Sequence, residues 1–243
     1  STFTQRLFYR YLDYIILHRF SGVKHYAIKK YNLNPTRVLE INHGLYRENI
    51  FGGNPSSKED EILMLGAMRV DKAPDILLKA YSGRAENGGL TLNLTGLIKS
   101  DLLRKDIQLL YREHPFMKDI QINDKFIDDK DVGLVFSSSR YVVIPNRECR
   151  QSGTLRLAIY FNKPVIVSDV GELGEFIRKY NIGLVVPPEN ISSLRQAMES
   201  LSNNDDLFRK FKNNINRLKE DKDLNWQFIV HTLQERIMQI EGY

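Results

Sequence analysis

The sequence predicts an α/β fold in which a doubly wound parallel sheet is flanked by helices near both ends of the chain. From about residue 60 onward, short apolar runs alternate with helical stretches. Several of these runs are apolar without alternation, which is typical of parallel strands covered on both faces. Ligands bind such sheets at the carboxyl ends of the strands, so the loops that follow the strands are the places to search for chemistry.

The N-terminal segment is predicted to be mainly helical. Aromatic and aliphatic residues at helical spacing predict a helix over 3–17, and a second amphipathic helix over 21–31 ends at an Asn-Leu-Asn-Pro stretch. A short strand is predicted over 37–41. The following residues, up to 57, are rich in Gly, Asn, Pro and Ser, which indicates a linker.

The central segment is predicted to contain six strands with helices between them. The strands are 62–65, 91–94, 120–122, 141–144, 164–168 and 184–186. The helices are 73–81, 99–114, 128–137, 154–161, 173–180 and 191–201. The mixed-charge tract 205–223 indicates a helix with a solvated face, and 224–240 predicts an amphipathic closing helix that contains the only Trp.

Composition excludes several classes of protein. The chain has 243 residues and 42% hydrophobic content, enough for a sizeable core, and it has no apolar run near the ~20 residues of a membrane span. The single Cys149 excludes an internal disulfide and a cysteine-built zinc site, and no other cluster has metal-ligand spacing. The net charge of +5 is spread over 35 basic and 30 acidic residues. We therefore expect a cytoplasmic protein that binds no nucleic acid or metal, with anionic small molecules or a lipid surface as open partners.

The loop after the first central strand carries two cations. Gly66-Ala67-Met68-Arg69-Val70-Asp71-Lys72 leads directly into a predicted helix. Cations beside a helix start can hold a diphosphate, because backbone N–H groups and the helix dipole add to the same field. The glycine spacing of a dinucleotide fingerprint and the Walker pattern are both absent. The alternative is that Arg69 and Lys72 are ordinary surface cations of a βα loop.

The loop after the strand 141–144 is a second candidate for ligand binding. Ser152 is predicted to cap the following helix, and Gly153 would let a ligand approach the backbone, so N–H groups from Ser152 to Leu155 are expected to be exposed and able to bind an anion. Glu148 precedes them as an acceptor for sugar hydroxyls or a carboxylate near a developing cation. The alternative is a capped helix with a solvated Glu148.

Four segments in this order resemble glycosyltransferase family 4, specifically the C-terminal, nucleotide-sugar-binding half of its GT-B fold. They are the loop 66–72, with Ala73 where the family usually has Gly; the stretch 126–129 with the helix and strand after it; the stretch 147–171; and the segment 183–189. The resemblance implies the domain limits. Residues 1–45 would be a remnant of the N-terminal acceptor domain, 46–60 the interdomain linker, 61–220 the Rossmann-like donor domain, and 221–243 a helix that packs back on the N-terminal side.

The resemblance also implies roles for particular residues. Arg69 and Lys72 would neutralise the donor diphosphate and stabilise the leaving group without a metal or other cofactor, and Glu148 would lie near the transferred sugar as the third catalytic residue. The donor would further contact the residues Gly66, Phe126, Ile127, Gln151, Ser152, Gly153 and Thr154, with the main chain of Phe126 and Ile127 meeting the base.

The sequence departs from the family's better-known motif of two Glu residues separated by seven others. Leu157 stands where the second, ribose-binding Glu is expected, and Glu148 falls one residue early for the first. Glu172 and Glu175 are possible substitutes near the ligand, although both also suit an exposed helix. Asn162 replaces a usual Gly, and Asn tolerates the left-handed conformation at a helix end.

The function implied is donor binding in a retaining, metal-independent glycosyltransferase that moves a sugar from a UDP- or GDP-sugar to a polysaccharide or glycolipid acceptor. The acceptor would be a saccharide or lipid-linked, and peripheral association with the inner face of the cell membrane stays open. Because the acceptor domain is mostly missing from this chain, we expect no transfer by the chain alone. The alternatives are a sugar-nucleotide epimerase or phosphorylase of the same fold, and a non-catalytic nucleotide-binding or regulatory domain.

Overall fold

The computed structural model describes residues 8–9, 11–19, 22–46, 58–149 and 151–242. In these residues the strands are β1 Ile15–His18, β2 Val38–Ile41, β3 Glu61–Leu65, β4 Thr91–Thr95, β5 Ile120–Asn123, β6 Ser139–Ile144, β7 Val165–Ser168 and β8 Gly183–Val186. The helices are α1 Val23–Tyr31, α2 Pro74–Ala80, α3 Asp101–Arg112, α4 Asp129–Ser137, α5 Gly153–Tyr160, α6 Glu172–Tyr180, α7 Ile191–Asn203, α8 Asp205–Lys219 and α9 Trp226–Glu241. The chain divides into two compact units, Ser1–Leu45 with Glu220–Tyr243, and Tyr46–Lys219. Most of the predicted linker 46–60 lies outside the described residues.

The larger unit contains a six-stranded parallel sheet, which confirms the predicted fold class. Its strand order is β5-β4-β3-β6-β7-β8, and every neighbouring pair is parallel. The chain therefore starts in the middle of the sheet at β3, builds outward through β4 and β5, and returns to β6 on the other side of β3. The carboxyl ends of β3 and β6 form the topological switch point, where doubly wound sheets bind ligands.

Apolar side chains on both faces of the central strands explain why this sheet is buried. Ile62 and Leu63 are successive residues of β3 that point to opposite faces, and both are completely buried. The same is true of Val165 and Ile166 in β7. On one face Leu77 of α2 joins the core that includes Ile62. Runs without alternation are thus buried on both sides, as the sequence pattern predicts.

The smaller unit contains a two-stranded parallel sheet of β1 and β2, with Ile15 paired to Val38. The predicted helix over 3–17 is therefore wrong at its C-terminal end, where residues 15–17 belong to β1; residues 1–7 and 10 lie outside the described part. The physical reason is that consecutive β-branched residues suit a strand that gains backbone hydrogen bonds from a partner. In the same unit Ile229 of α9 is buried, and Trp226 lies against Gly44.

No helix among the described residues has the length and apolar content needed to cross a membrane.

Candidate functional site

A pocket lies at the switch point between β3 and β6. Its floor is made by the strand ends, including Met64 and Val143, and its walls come from the loop after β3, the loop after β6 and the start of α5. We call it the switch-point pocket; its wall residues are Leu65, Gly66, Ala67, Arg69, Lys72, Ile144, Pro145, Asn146, Ser152 and Thr154. The structure thus brings together five of the predicted site residues, Gly66, Arg69, Lys72, Ser152 and Thr154.

The loop after β3 is held by hydrogen bonds to the neighbouring strand end. Gly66 N–H donates to Thr95 O at 3.0 Å, and Met68 forms an isolated parallel bridge with Ile98. Thr154 Oγ1 donates to Leu65 O at 3.2 Å and joins the start of α5 to the end of β3 across the switch point. The wall of the pocket is therefore fixed by the sheet rather than by a free loop.

The two predicted cations differ in their surroundings. Arg69 donates from Nε and Nη2 to the carboxylate of Asp71 at 2.8 and 2.7 Å, and its side chain is 52% exposed. These hydrogen bonds hold the pKa of the Asp71 carboxyl below its usual value. Lys72 is half-buried, and no carboxylate of the described residues lies within ion-pair distance of it. Lys72 therefore lines the pocket without a contact ion pair, although its charge also helps to lower the pKa of Asp71, whereas Arg69 must exchange Asp71 for a ligand.

Arg147 holds this cation-bearing loop in place. Its Nη1 donates to Val70 O at 2.6 Å, its backbone N–H donates to Asp71 O at 2.8 Å, and its guanidinium forms a two-pronged ion pair with Asp75 of α2. Nε also donates to Glu189 at 2.8 Å. Burial opposes ionisation of Asp75, but Arg147 outweighs it and leaves the pKa of that carboxyl below its usual value. The sequence reasoning assigned Arg147 to a ligand-facing loop and missed this positioning role.

The start of α5 contributes backbone donors to the pocket. Ser152 caps the helix as predicted, since its Oγ accepts the N–H of Leu155 at 3.2 Å. The expectation of exposed N–H groups from Ser152 to Leu155 is wrong at both ends, because Ser152 N–H donates to Glu172 Oε1 at 3.2 Å and the Leu155 N–H serves the cap. The N–H groups of Gly153 and Thr154 have no acceptor among the described residues and remain for a ligand.

Glu172 is a structural residue rather than an exposed substitute for a ligand-binding carboxylate. It is 5% exposed, and its Oε2 lies 3.3 Å from Nη2 of Arg156, which is 2% exposed. The Arg156 guanidinium also stacks over the ring of Phe176, and burial lowers the pKa of Arg156. This buried pair joins the first turns of α5 and α6. Arg156 is the single charged residue in the otherwise apolar sequence of α5, and this pattern could have indicated the buried ion pair.

Two departures from the family pattern coincide with left-handed backbone. Ala73, which replaces a usual Gly, has φ 52° and ψ 48°, and Asn162, which replaces another, has φ 56°. Asn tolerates this conformation, as predicted, whereas an alanine there carries a strain of about 1–2 kcal/mol. The family's preference for Gly at position 73 therefore has a geometric cause.

A second, more apolar pocket adjoins the first. It is lined by the ends of β3 and β4 and by the β5–α4 loop; its residues are Leu65, Gly66, Ala67, Thr95, Gly96, Leu97, Lys99, Lys125, Phe126, Ile127 and Val132. We call it the β4–β5 pocket. It contains the predicted site residues Phe126 and Ile127, and it shares Leu65, Gly66 and Ala67 with the switch-point pocket. The two pockets therefore adjoin at the carboxyl edge of the sheet, and together they are called the cleft.

The remaining predicted site residues lie outside the walls of these two pockets. Glu148 is exposed and has no hydrogen bond or ion pair to a described residue. Gly153 is exposed, and a Cβ built on it would meet no atom within 4 Å. Gln151 is half-buried, with an Nε2 that has no partner among the described residues. The structure therefore does not bring Glu148 to the cleft, and a catalytic role for it stays a prediction.

The described residues contain no group of three His, Cys, Asp or Glu side chains arranged to hold a metal ion.

Solved structures resemble this chain over almost its whole length. Sucrose-phosphate synthase from Thermosynechococcus elongatus matches with a TM-score of 0.77 and 19% identity, over 99% of this chain and 61% of that one. Alr3699/HepE from Anabaena, solved with UDP and glucose, matches with a TM-score of 0.78 and 13% identity, over 98% of this chain and 68% of that one. WaaG, a glycosyltransferase involved in lipopolysaccharide biosynthesis, matches with a TM-score of 0.70 and 16% identity, over 86% of this chain and 59% of that one.

These likenesses establish the fold, and the chain spans about three fifths of the length of the synthase. No curated protein matches the chain. A family model does match, over residues 46–218, and its description is glycosyl transferases group 1. That range covers the six-stranded sheet and both pockets. The chain therefore belongs to the glycosyl transferases group 1 family, and its larger unit has the Rossmann-like α/β fold.

Proposed function

We propose that this chain is the donor-binding half of a retaining, metal-independent glycosyltransferase of family 4. It binds a UDP- or GDP-sugar, and the complete enzyme, with an acceptor-binding domain, transfers the sugar to a saccharide or lipid-linked acceptor. The protein acts in the cytoplasm, at the inner face of the cell membrane where the acceptor is lipid-linked.

The observation that carries this proposal is the cleft formed by the two adjoining pockets. Its β4–β5 part is apolar and suits a base and ribose. Its switch-point part presents the Lys72 ammonium and the N–H group of Thr154, and the exposed N–H group of Gly153 lies next to it in the chain. Hydrogen-bond donors beside a helix N-terminus favour the oxygens of a diphosphate. A structural neighbour solved with UDP and glucose supports the same class of ligand.

Leaving-group stabilisation follows from the same arrangement. When the glycosidic bond to the distal phosphate breaks, negative charge grows on the departing nucleoside diphosphate. The first turn of α5 is held in position by its hydrogen bonds to Leu65 and Glu172, so its N–H groups stabilise the developing charge without reorganisation, and the Lys72 ammonium adds positive charge beside them. Arg69 joins them once the incoming phosphate displaces Asp71. This assigns to protein groups the role that a divalent cation has in other transferases.

We expect Lys72→Ala to weaken UDP or GDP binding by about 10- to 100-fold, because it removes a cation of the switch-point pocket that forms no contact ion pair with a described carboxylate. Arg69→Ala should cost less, since Arg69 is half exposed and already paired with Asp71. Isothermal titration calorimetry on the chain measures both effects. Lys79→Ala is the matched control, since it removes the same charge from an exposed position on α2. Absence of nucleotide binding by the unaltered chain, or equal affinities for the Lys72 and Lys79 variants, would contradict the proposal.

The mechanistic part of the proposal requires the complete enzyme. Its activity should survive chelation of divalent cations, and the anomeric configuration of the product, determined by NMR, should match that of the donor. Loss of activity in chelator that is restored by added Mg²⁺ or Mn²⁺ would contradict metal independence. An inverted product would contradict retention.

A non-catalytic nucleotide-binding domain is the second candidate. It is favoured by the absence of a carboxylate from the described walls of both pockets and by the exposed position of Glu148. The complete protein would then bind UDP or GDP yet release no sugar from a UDP- or GDP-sugar. A donor-hydrolysis and transfer assay that detects turnover, abolished by Lys72→Ala, would eliminate this candidate.

A further inference from the structure

Asn146 is a buried polar residue of the switch-point pocket, and its side-chain nitrogen is a hydrogen-bond donor without a paired acceptor. It follows Pro145 at the end of β6, its exposure is 1%, and it lines the pocket together with Lys72 and Ser152. In the part of the chain that the structure describes, its side-chain nitrogen Nδ2 has no hydrogen-bond partner. Buried amide N–H groups are nearly always paired, so an orphaned one on a pocket wall indicates a place for a ligand acceptor.

The surrounding protein supplies only a weak acceptor, the thiol of Cys149. Burial raises the pKa of this thiol, and the charge of Lys72 and a hydrogen bond with Asn146 oppose that rise. Sulfur is a weak acceptor, and the Cys149 thiol is directed to Gln151 O at 3.3 Å. The Asn146 amide therefore stays available to a ligand.

The position of Asn146 in the cleft indicates which part of a ligand it meets. The β4–β5 pocket lies on one side of β3, and Asn146 follows β6 on the other side. The two pockets meet at Gly66 and Ala67. A nucleotide with its base near Phe126 and Ile127 would pass these residues with its first phosphate, and its second phosphate would reach Lys72 and Asn146.

We infer that Asn146 is a donor-binding residue whose Nδ2 donates a hydrogen bond to an oxygen of the distal phosphate, beside Lys72. This inference rests on the proposed function, and it adds a specificity: the site distinguishes nucleoside diphosphates from monophosphates. Asn146 and Lys72 together require an acceptor-rich group at this point. A monophosphate has no such group within their reach.

The test is calorimetry of the chain and its Asn146→Ala variant with UMP and UDP, or with GMP and GDP if the guanine nucleotides bind more tightly. The expected result is a loss of about 10- to 100-fold in diphosphate affinity, since the lost hydrogen bond is to a charged acceptor, and a change below about 2-fold for the monophosphate. Asn146→Asp should lower diphosphate affinity further, because it places a carboxylate beside the phosphate.

The melting temperature of the ligand-free variants separates ligand binding from a structural role. An amide nitrogen whose only acceptor is a thiol contributes little to folding, so Asn146→Leu, which has a similar volume, should melt at the parent temperature or above it and still lose diphosphate affinity. Equal loss of mono- and diphosphate affinity, or unchanged diphosphate affinity, would overturn the inference while the unaltered chain still binds. An unaltered chain that binds neither nucleotide would instead overturn the proposed function, and the inference with it.

Discussion

Gly96→Ala is expected to destabilise the larger unit by about 3 kcal/mol or more and to lower its melting temperature by roughly 10 °C. Gly96 follows β4 and has φ +147°, a backbone conformation that residues other than glycine rarely adopt. A Cβ on Gly96 would overlap the carbonyl oxygen of Gly66. The atom it meets belongs to the backbone, so no rotamer change can relieve the overlap. Either the loop after β3 moves or the end of β4 does.

The same substitution should also weaken nucleotide binding, because Gly66 and Gly96 line the β4–β5 pocket. Thermal unfolding and calorimetry on one preparation measure both effects. Gly153→Ala is the matched control. Its Cβ would project into open space at a position without positive φ, in the first turn of α5. That variant should keep the parent melting temperature yet lose affinity, since its methyl group occupies the space through which a phosphate reaches the helix N–H groups. A Gly96→Ala variant that melts with the parent protein would contradict the close packing of the two strand ends.

The contact between Gly96 and Gly66 also marks the limit of what the sequence could predict. Apolar runs located all six strands of the large sheet, because burial on both faces leaves a signal in consecutive residues. The order of the strands has no such signal. The sequence therefore predicts that the loops after β3 and β6 both bind a ligand. It does not predict that Gly96, which follows β4, packs against the loop after β3, because this contact depends on the order of the strands.

The sequence likewise predicted one part of the candidate site and missed another. Residue types in the two loops were sufficient to select three candidates. Arg69 and Lys72 are cations beside a helix start, and Ser152 is a helix cap. The sequence could not predict which polar groups form hydrogen bonds or ion pairs within the protein and are therefore not available to a ligand. Asp71 pairs with Arg69, and Glu172 takes the Ser152 N–H from twenty residues away along the chain. The proposed role of Asn146 depends on assigning these internal bonds first, because only then does its Nδ2 stand out as a buried donor without a partner among the described residues.

Glu172→Gln is expected to destabilise the larger unit by about 3–5 kcal/mol, the cost of breaking a buried ion pair by neutralising one partner. The guanidinium of Arg156 is 2% exposed, so solvent cannot replace the lost carboxylate charge. Glutamine keeps the volume of the side chain and an oxygen that can still accept the Ser152 N–H. The substitution therefore removes charge while leaving the hydrogen bond and packing nearly intact. Urea unfolding of the variant and the parent measures the difference in free energy.

A double variant, Arg156→Met with Glu172→Gln, separates the contribution of the ion pair to the free energy of unfolding from the contribution of the surrounding packing. Methionine fills much of the arginine volume and can contact the Phe176 ring, which Arg156 covers with its centre 4.4 Å from the ring centroid. Once both charges are gone, no buried charge lacks its counter-charge, so the double variant should be more stable than Glu172→Gln alone. Additivity of the two single substitutions within about 0.5 kcal/mol would mean that the charges do not interact, and the join between α5 and α6 would then depend on packing alone.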